Sequence, residues 1–287
     1  MTPAARLRSL LGSGRIVMAP GAMDALSARL VESAGFPAVY MTGLGATASR
    51  LGTPDIGLLS QTEMTEHARN MARAVSIPII ADADTGYGGP SNIHRTVREH
   101  IQAGVAAIHL EDQVAPKRCG QLAGIRLIDA EEAAARLRCA IEARGRDDLI
   151  VIGRTDAMPA AGAEEAIRRA RLYQQAGVDL VFVDGIKTIR EVEAVAAGVP
   201  GPKVVSIVDG NETVRLTARD LEGMGFAVVL FAVTALFASI KAVEAALGHL
   251  KAAGTPAGVS PAASYADFCR IVDLPFHQSL DERFGRG

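Results

Sequence analysis

Asp82 and Asp84 stand two residues apart at the end of an apolar run, within Ile79-Ile80-Ala81-Asp82-Ala83-Asp84-Thr85-Gly86-Tyr87-Gly88-Gly89. If the run is a strand, residues i and i+2 point to one face, so the two carboxylates lie side by side. Such a pair is tolerable with a cation between its members. Hard oxygen ligands favour Mg²⁺ or Mn²⁺ over zinc. The alternative has one aspartate capping the next helix and the other in solvent. Other short apolar runs also end in polar groups: Tyr40 and Thr42, then Glu111, Arg154 with Asp156, Asp184, and Ser206 with Asp209. Arg154 carries a fork that can hold a carboxylate through two hydrogen bonds. It could instead pair with Asp156 or Glu111 and meet no ligand. Thr42-Gly43-Leu44-Gly45 is either a tight turn or a set of backbone N–H groups facing an anion. A cation, an arginine and N–H groups together suit a small α-keto or α-hydroxy acid. The cation would stabilise the enolate formed when a bond beside the carbonyl breaks.

Gln113 to Gly120 reads as a loop carrying Pro116, Lys117, Arg118 and Cys119. Cationic neighbours lower a thiol pKa. A thiol on a mobile loop beside an acidic site suits a general acid that protonates an enolate carbon. The alternative is an incidental surface cysteine. Cys139 and Cys269 sit in apolar-periodic segments and read as packing residues. His67, His94, His100 and His249 fall on helical patterns as surface or packing residues, and His109 reads as structural.

Eight short apolar runs must position these groups: 16–19, 38–41, 77–81, 106–110, 149–153, 180–183, 204–207 and 228–231. Amphipathic segments alternate with them at 24–33, 61–74, 91–103, 129–144, 163–176, 188–196, 217–224 and 236–252. Several open on caps such as Ser60 and Asp129, and several close on Ala-Gly before the next run. Eight βα units most simply close into a parallel (β/α)8 barrel, which places chemistry at the C-terminal strand ends. An open doubly wound sheet would want a Gly-x-Gly-x-x-Gly turn after the first run, and Met18-Ala19-Pro20-Gly21-Ala22 lacks one.

A chain of 287 residues suits one barrel domain, here 1–287 with a C-terminal helical extension from about 235. A net charge of −2 without basic clusters excludes a nucleic-acid role, and 4% aromatics without tryptophan argue against stacking platforms for bases or sugars. The run 228–238 is too short to cross a membrane, and the N-terminus lacks a secretory core. Three cysteines without metal spacing fit a reducing, cytoplasmic setting.

Taken together, Thr42-Gly43, Asp82-Ala83-Asp84-Thr85-Gly86-Tyr87-Gly88, Glu111-Asp112-Gln113, Pro116-Lys117-Arg118-Cys119-Gly120 and Arg154-Thr155-Asp156 resemble the isocitrate lyase/phosphoenolpyruvate mutase superfamily. The resemblance spans nearly the whole chain. It is nearest to the short methylisocitrate lyases, 2,3-dimethylmalate lyases and carboxyphosphonoenolpyruvate phosphonomutases. It implies a barrel whose C-terminal helix is swapped with a neighbour in a dimer, within a tetramer. It implies that Thr42, Gly43 and Leu44 bind the keto acid, with Tyr40, Lys117, Gly120, Asp184 and Ser206 also around the substrate. Asp82 and Asp84 would hold Mg²⁺ or Mn²⁺, with Asp55 and Glu111 in its outer shell. Arg154 would grip the substrate, and Cys119 on a gating loop would be the lyase acid. Departures limit what carries over to thiol chemistry and substrate: Asp184 is one methylene shorter than the usual glutamate, and Asp209 to Val214 replaces a Glu-Gly-Gly-Lys-Thr-Pro segment. Gln121 stands where histidine follows the thiol motif, Ser206 replaces asparagine, and Phe237 occupies the place of an arginine that meets a third carboxylate. The expected activity is retro-aldol cleavage of a small 2-hydroxy dicarboxylate to pyruvate or another α-keto acid. The competing readings are a decarboxylase, hydrolase or phosphonomutase on the same scaffold, and a non-catalytic metabolite-binding barrel.

Overall fold

The computed structural model describes residues 1–285; Arg286 and Gly287, the end of the expected domain, lie outside the described residues. Eight strands close into one parallel barrel in sequence order: β1 Val17–Ala22, β2 Val39–Met41, β3 Ile79–Asp82, β4 Ala107–Glu111, β5 Ile150–Thr155, β6 Leu180–Val183, β7 Lys203–Ile207 and β8 Val228–Phe231, which pairs back with β1. All eight expected strands are present; β6 and β8 have the expected ends, and the others differ by at most three residues at either end. β3 begins after Pro78 rather than before it, because proline has no N–H for a ladder.

The helices, in chain order, are α1 Pro3–Leu11, α2 Ala25–Ser33, α3 Gly43–Leu51, α4 Gln61–Ala74, α5 Pro90–Ala103, α6 Ala130–Arg144, α7 Ala157–Ala161, α8 Ala163–Gln175, α9 Ile189–Gly198, α10 Ala218–Gly223, α11 Thr234–Ala253, α12 Tyr265–Ile271 and α13 Leu274–Phe284. Ser60 and Thr188 close capping boxes with Glu63 and Glu191, which satisfies the first N–H groups of α4 and α9.

Inward strand positions form the inner core: Val17, Ala19, Tyr40, Ile80, Ile150, Ile152, Phe182, Val204 and Leu230. Leu7, Leu10 and Leu11 of α1 join that cluster, so α1 seals the end of the barrel where the strands begin. Outward positions pack under the helices in a second cluster that includes Val39, Ile79, Ile108, Val151, Val181, Val205 and Tyr173. With one mouth sealed by apolar side chains, polar chemistry is confined to the other.

Beyond β8 the chain is helical but thinly buried. Leu236 is the one buried residue of α11, and α12 and α13 have none. Phe237, Ile240, Val243, Leu247, Phe268, Phe276 and Phe284 are exposed.

Candidate active site

The C-terminal strand ends surround a cavity of about 340 Å³. Tyr40, Thr42, Leu44, Asp55, Asp82, Cys119, Arg154, Asp184 and Ser206 all line it, as the sequence reading expects. Glu111 lies behind Arg154, and Lys117 and Gly120 belong to the loop that covers one side.

Alternation along the strands aims Tyr40, Asp82, His109, Glu111, Arg154 and Asp184 at the interior. The expectation that Asp84 shares a strand face with Asp82 is corrected. β3 ends at Asp82, and Asp84 lies in the following turn with φ 47°. Its N–H donates to Asp82 Oδ1 at 3.0 Å, so the turn folds the second carboxylate back toward the first. The Thr42 to Gly45 segment is a helix start rather than a free turn: Thr42 caps α3 and accepts from Gly45 N at 3.4 Å. A Cβ at Gly43 would collide with the Asp82 carboxylate. Glycine is therefore what lets this helix N-terminus approach the acid.

Lys117 is buried, not a rim residue. Its Nζ lies 2.6 Å from Asp55 Oδ1 and 2.8 Å from Asp84 Oδ1. Burial alone would discharge it, but Asp84, Asp82, Glu111 and Asp55 hold its pKa well above the ordinary value. Arg154 is committed as well. Its Nε and Nη2 donate to the two oxygens of Asp156 at 3.1 and 2.9 Å, and Nη2 also lies 2.7 Å from Asp184 and 3.2 Å from Glu111. The bidentate edge expected for a ligand is thus spent on Asp156. Nη1, 3.8 Å from Asp82, is the donor left for substrate.

Six carboxylates (Asp55, Asp82, Asp84, Glu111, Asp156 and Asp184) surround two cations, Lys117 and Arg154. Burial pushes Asp84 up to about 6, with Asp82 and Asp55 adding to the rise against Lys117. Burial also lifts Glu111 well above the ordinary carboxylate range. Neither Glu111 oxygen has a hydrogen bond of acceptable geometry, nor does Asp84 Oδ1. Burial opposes ionisation of Asp82 too, but facing charges outweigh it and hold that carboxyl low: His109 once acid protonates it, and Lys117 and Arg154 at any pH. An excess of hard, under-satisfied oxygen donors fits a divalent cation. Among the described residues no three His, Cys, Asp or Glu side chains form a closed cage.

His109 is structural, as expected. Its Nε2 lies 3.1 Å from the Tyr40 hydroxyl, and Nδ1 faces Asp82 at 3.6 Å. Burial brings it down to about 4, so the ring is neutral. His67 and His100 are packing residues bonded to the carbonyls of Met23 and Thr96.

The thiol expectation needs a different correction. Burial pushes Cys119 up to about 11, and Asp184 and Asp55 add to the rise. Lys117, turned into the acidic cluster, does not act on it, and Arg118 is exposed. The group is a standing thiol, suited to giving a proton and unsuited to nucleophilic attack.

The loop is seated on the rim by Cys119 N donating to Asp55 O at 3.0 Å. Gln113 braces it from within, donating to Arg118 O at 2.7 Å and accepting from Arg118 N at 2.9 Å. Gly120 lies against Asp184 and Asp156 so closely that a Cβ would sit 2.5 Å from the Asp184 carboxylate. Residues Gln113 to Gly124, bracketed by Pro116, Gly120 and Gly124 beside the rim, are expected to open and close over the site. Trypsin should cut at Arg118 in the free protein and be slowed by Mg²⁺ with oxalate. Equal cleavage in both conditions rejects closure.

Sequence reasoning missed Asp112. It turns outward and accepts from Thr155 Oγ1 at 2.7 Å, Asp156 N at 2.9 Å, Tyr173 OH at 2.6 Å and Arg169 Nη1 at 3.1 Å. This buried hub ties the ends of β4 and β5 to α8, and so fixes Glu111 relative to Arg154. Its signal was the pairing of adjacent acids at a strand end, one facing each way.

Residues 7–251 match the family described as phosphoenolpyruvate phosphomutase. The chain is 37% identical to 2,3-dimethylmalate lyase of Eubacterium barkeri over 100% of both chains. It is 38% identical to 2-methylisocitrate lyase of Bacillus subtilis (strain 168), over 88% of this chain and 83% of that one. Its fold superposes with a TM-score of 0.94 on oxaloacetate acetylhydrolase bound to 3,3-difluorooxalacetate, at 34% identity, covering 100% of this chain and 98% of that one. The barrel, its acidic mouth, the thiol loop and these likenesses agree: the chain belongs to the PEP mutase/isocitrate lyase superfamily.

Proposed function

We propose that the protein is a divalent-metal-dependent carbon–carbon lyase. It would cleave a small 2-hydroxy dicarboxylate of the substituted-malate type to an α-keto acid such as pyruvate and a second carboxylic acid. The observation that carries this reading is the protonated Cys119 thiol beside an acidic, Arg154-containing cavity. A cation held by Asp82 and Asp84, with Asp55 and Glu111 outside it, would polarise the substrate oxygens and stabilise developing charge. The first backbone N–H groups of α3 and Arg154 Nη1 orient the keto-acid end. Glu111, its proton affinity raised by burial but its carboxyl set behind Arg154, would receive the hydroxyl proton by relay rather than by direct contact. The bond beside the new carbonyl breaks, its electron pair passes to the adjacent carbon, and Cys119 delivers a proton there. Leu44, Val208, Val233 and Phe237 make one wall apolar, which favours an alkyl substituent over a third carboxylate.

The exposed stripe of α11 and the unburied α12 and α13 support a helix-swapped dimer within a tetramer. With its C-terminal extension the chain would then act as a single barrel domain. Three free cysteines support a reducing, cytoplasmic setting. No helix among the described residues is long and apolar enough to cross a membrane.

A second reading, hydrolysis or decarboxylation of oxaloacetate or phosphonate chemistry, is favoured by Gln121 in place of histidine and by the likeness to oxaloacetate acetylhydrolase. Pyruvate release from a panel of substituted malates, beside oxaloacetate turnover, separates the two. For the lyase, Cys119→Ser should lose roughly 10²–10⁴-fold in kcat with little change in substrate affinity, the usual range for a general acid. Cys139→Ser and Cys269→Ser should be neutral. An acid works while protonated and a base while deprotonated, so activity should fall as pH rises through about 11 at Cys119 and fall again at lower pH, from above the ordinary carboxylate range, at Glu111. The kcat profile should therefore rise on an acidic limb set by Glu111 and fall on a basic limb set by Cys119. Wild-type turnover by Cys119→Ser on the best substrate rejects the thiol mechanism and selects the second reading.

A further inference from the structure

Tyr87 takes no part in the proposed chemistry, yet its backbone is strained. It lies in the turn between β3 and α5 with φ 62°, in the left-handed region. Glycine enters that region freely, and Gly86 and Gly88 on either side do so. A bulky aromatic there is an outlier, and such strain persists where the surroundings fix the residue for its side chain.

The half-buried ring packs against the outer core and carries its hydroxyl in among the acids. Burial, and then Asp84, Asp82 and Glu111, hold the phenol's pKa well above its ordinary value, so the hydroxyl keeps its proton. That oxygen is buried and makes no hydrogen bond of acceptable geometry, and Asp84 Oδ1 is likewise without one. A donor and an acceptor, both unsatisfied, thus face each other, and leaving such a buried pair unmade is costly.

Asp84 needs a partner that stays. It has left the strand, with φ 47°, and its Oδ1 lies 2.8 Å from Lys117 Nζ. Lys117 belongs to the segment Gln113 to Gly124 that is expected to open, and on opening it carries its ammonium away. Tyr87 belongs to a turn tied at both sides: Gly86 N donates to Ala83 O at 3.0 Å, and Thr96 Oγ1 donates to Gly86 O at 3.2 Å. Asp84 and Tyr87 also border a second cavity, of about 600 Å³, between the starts of α4 and α5. A carboxylate beside open space on that side has more than one way to turn.

We infer that the Tyr87 hydroxyl is the positioning group of Asp84: it donates to that carboxylate and holds it ready for the cation while the Lys117 loop is open. This rests on the reading that Asp82 and Asp84 hold the metal. Asp84 is then steadied by Tyr87 before closure and by Lys117 as well after it.

Mn²⁺ binding to the substrate-free protein, followed by electron paramagnetic resonance, tests this without an assay of turnover. Tyr87→Phe keeps the ring and deletes the hydroxyl. It should weaken Mn²⁺ by about tenfold, the lower end for a group that orients a metal ligand. Urea unfolding of the metal-free variant should match wild type, whereas a merely structural role would lower stability and leave Mn²⁺ affinity alone. In an Asp84→Ala background, Tyr87→Phe should change Mn²⁺ affinity by no more than about twofold, because the hydroxyl acts through that carboxylate. With oxalate bound and the loop closed, the Tyr87→Phe loss should shrink. Wild-type Mn²⁺ affinity in Tyr87→Phe, or an undiminished loss in the Asp84→Ala background, overturns the assignment. An equal loss with and without oxalate overturns its link to the open loop. Unchanged Mn²⁺ affinity in Asp84→Ala alone defeats instead the ligand assignment on which the inference rests.

Discussion

Arg154→Ala should be inactive and markedly less stable, and both effects have one cause. The guanidinium is buried and faces Asp156, Asp184 and Glu111 between 2.7 and 3.2 Å. Removing it leaves several buried carboxylates without a counter-charge. Breaking a buried pair from one side costs about 3–5 kcal/mol. Arg154 also stacks over Phe182, with 5.4 Å from the guanidinium carbon to the ring centroid, and that packing is lost too. Arg154→Lys separates charge from geometry. A lysine restores one positive charge but cannot bond both oxygens of Asp156 while donating into the cavity. It should recover part of the stability and little of the turnover. Urea unfolding and kcat on the same preparations measure the two effects. Wild-type stability in Arg154→Ala would show that the acidic ring does not depend on this cation.

Asp82→Ala is expected to abolish tight metal binding. Asp82 is the site carboxyl whose facing groups hold its pKa below the ordinary range, so it stays ionised and ready to bind a cation. Even outer-shell changes weaken metal affinity about 10–100-fold, so loss of a direct ligand should exceed about 100-fold. Asp84→Ala should also weaken binding by more than about 100-fold, because it removes a proposed ligand and frees the Lys117 cation from one of its two carboxylates. Mn²⁺ binding followed by electron paramagnetic resonance reads affinity without any assay of turnover. Unchanged Mn²⁺ affinity in Asp82→Ala, or full activity of Asp84→Ala in excess chelator, would sink the assignment of these ligands.

Much of this architecture is legible in local patterns. Short apolar runs and Ala-Gly helix ends mark the barrel, and six of the eight runs end at a residue of the site because parallel strands deliver their C-terminal ends to one rim. Tyr40, Asp82, Glu111, Arg154 and Asp184 are readable for that reason. What escapes local reading is decided by distant neighbours. Lys117 looks like a rim lysine until Asp55 and Asp84 draw it inside. Cys119 looks activated by two cations, yet Lys117 turns away and burial dominates. Asp84 follows Asp82 by two residues, but a left-handed turn breaks the strand period between them. The Gly43-Leu44-Gly45 segment has turn-like composition. It is helical because an acid 39 positions later in the sequence needs close approach. The apolar pattern of α1 is short enough to pass for a tail, and only the closed barrel shows what it covers.

The α1 plug has an evolutionary consequence. Leu7, Leu10 and Leu11 close the lower mouth through the apolar inner core, of whose buried members Tyr40 and Phe182 alone reach the cavity lining. The parts that hold the barrel together are thereby separated from the parts that choose the reaction. Substitutions such as Gln121, Ser206 and Phe237 can accumulate on the upper connections at small cost to folding, because the plug and inner core are untouched by them. Relatives that share this barrel and include both lyases and an acetylhydrolase are what such a division of labour permits.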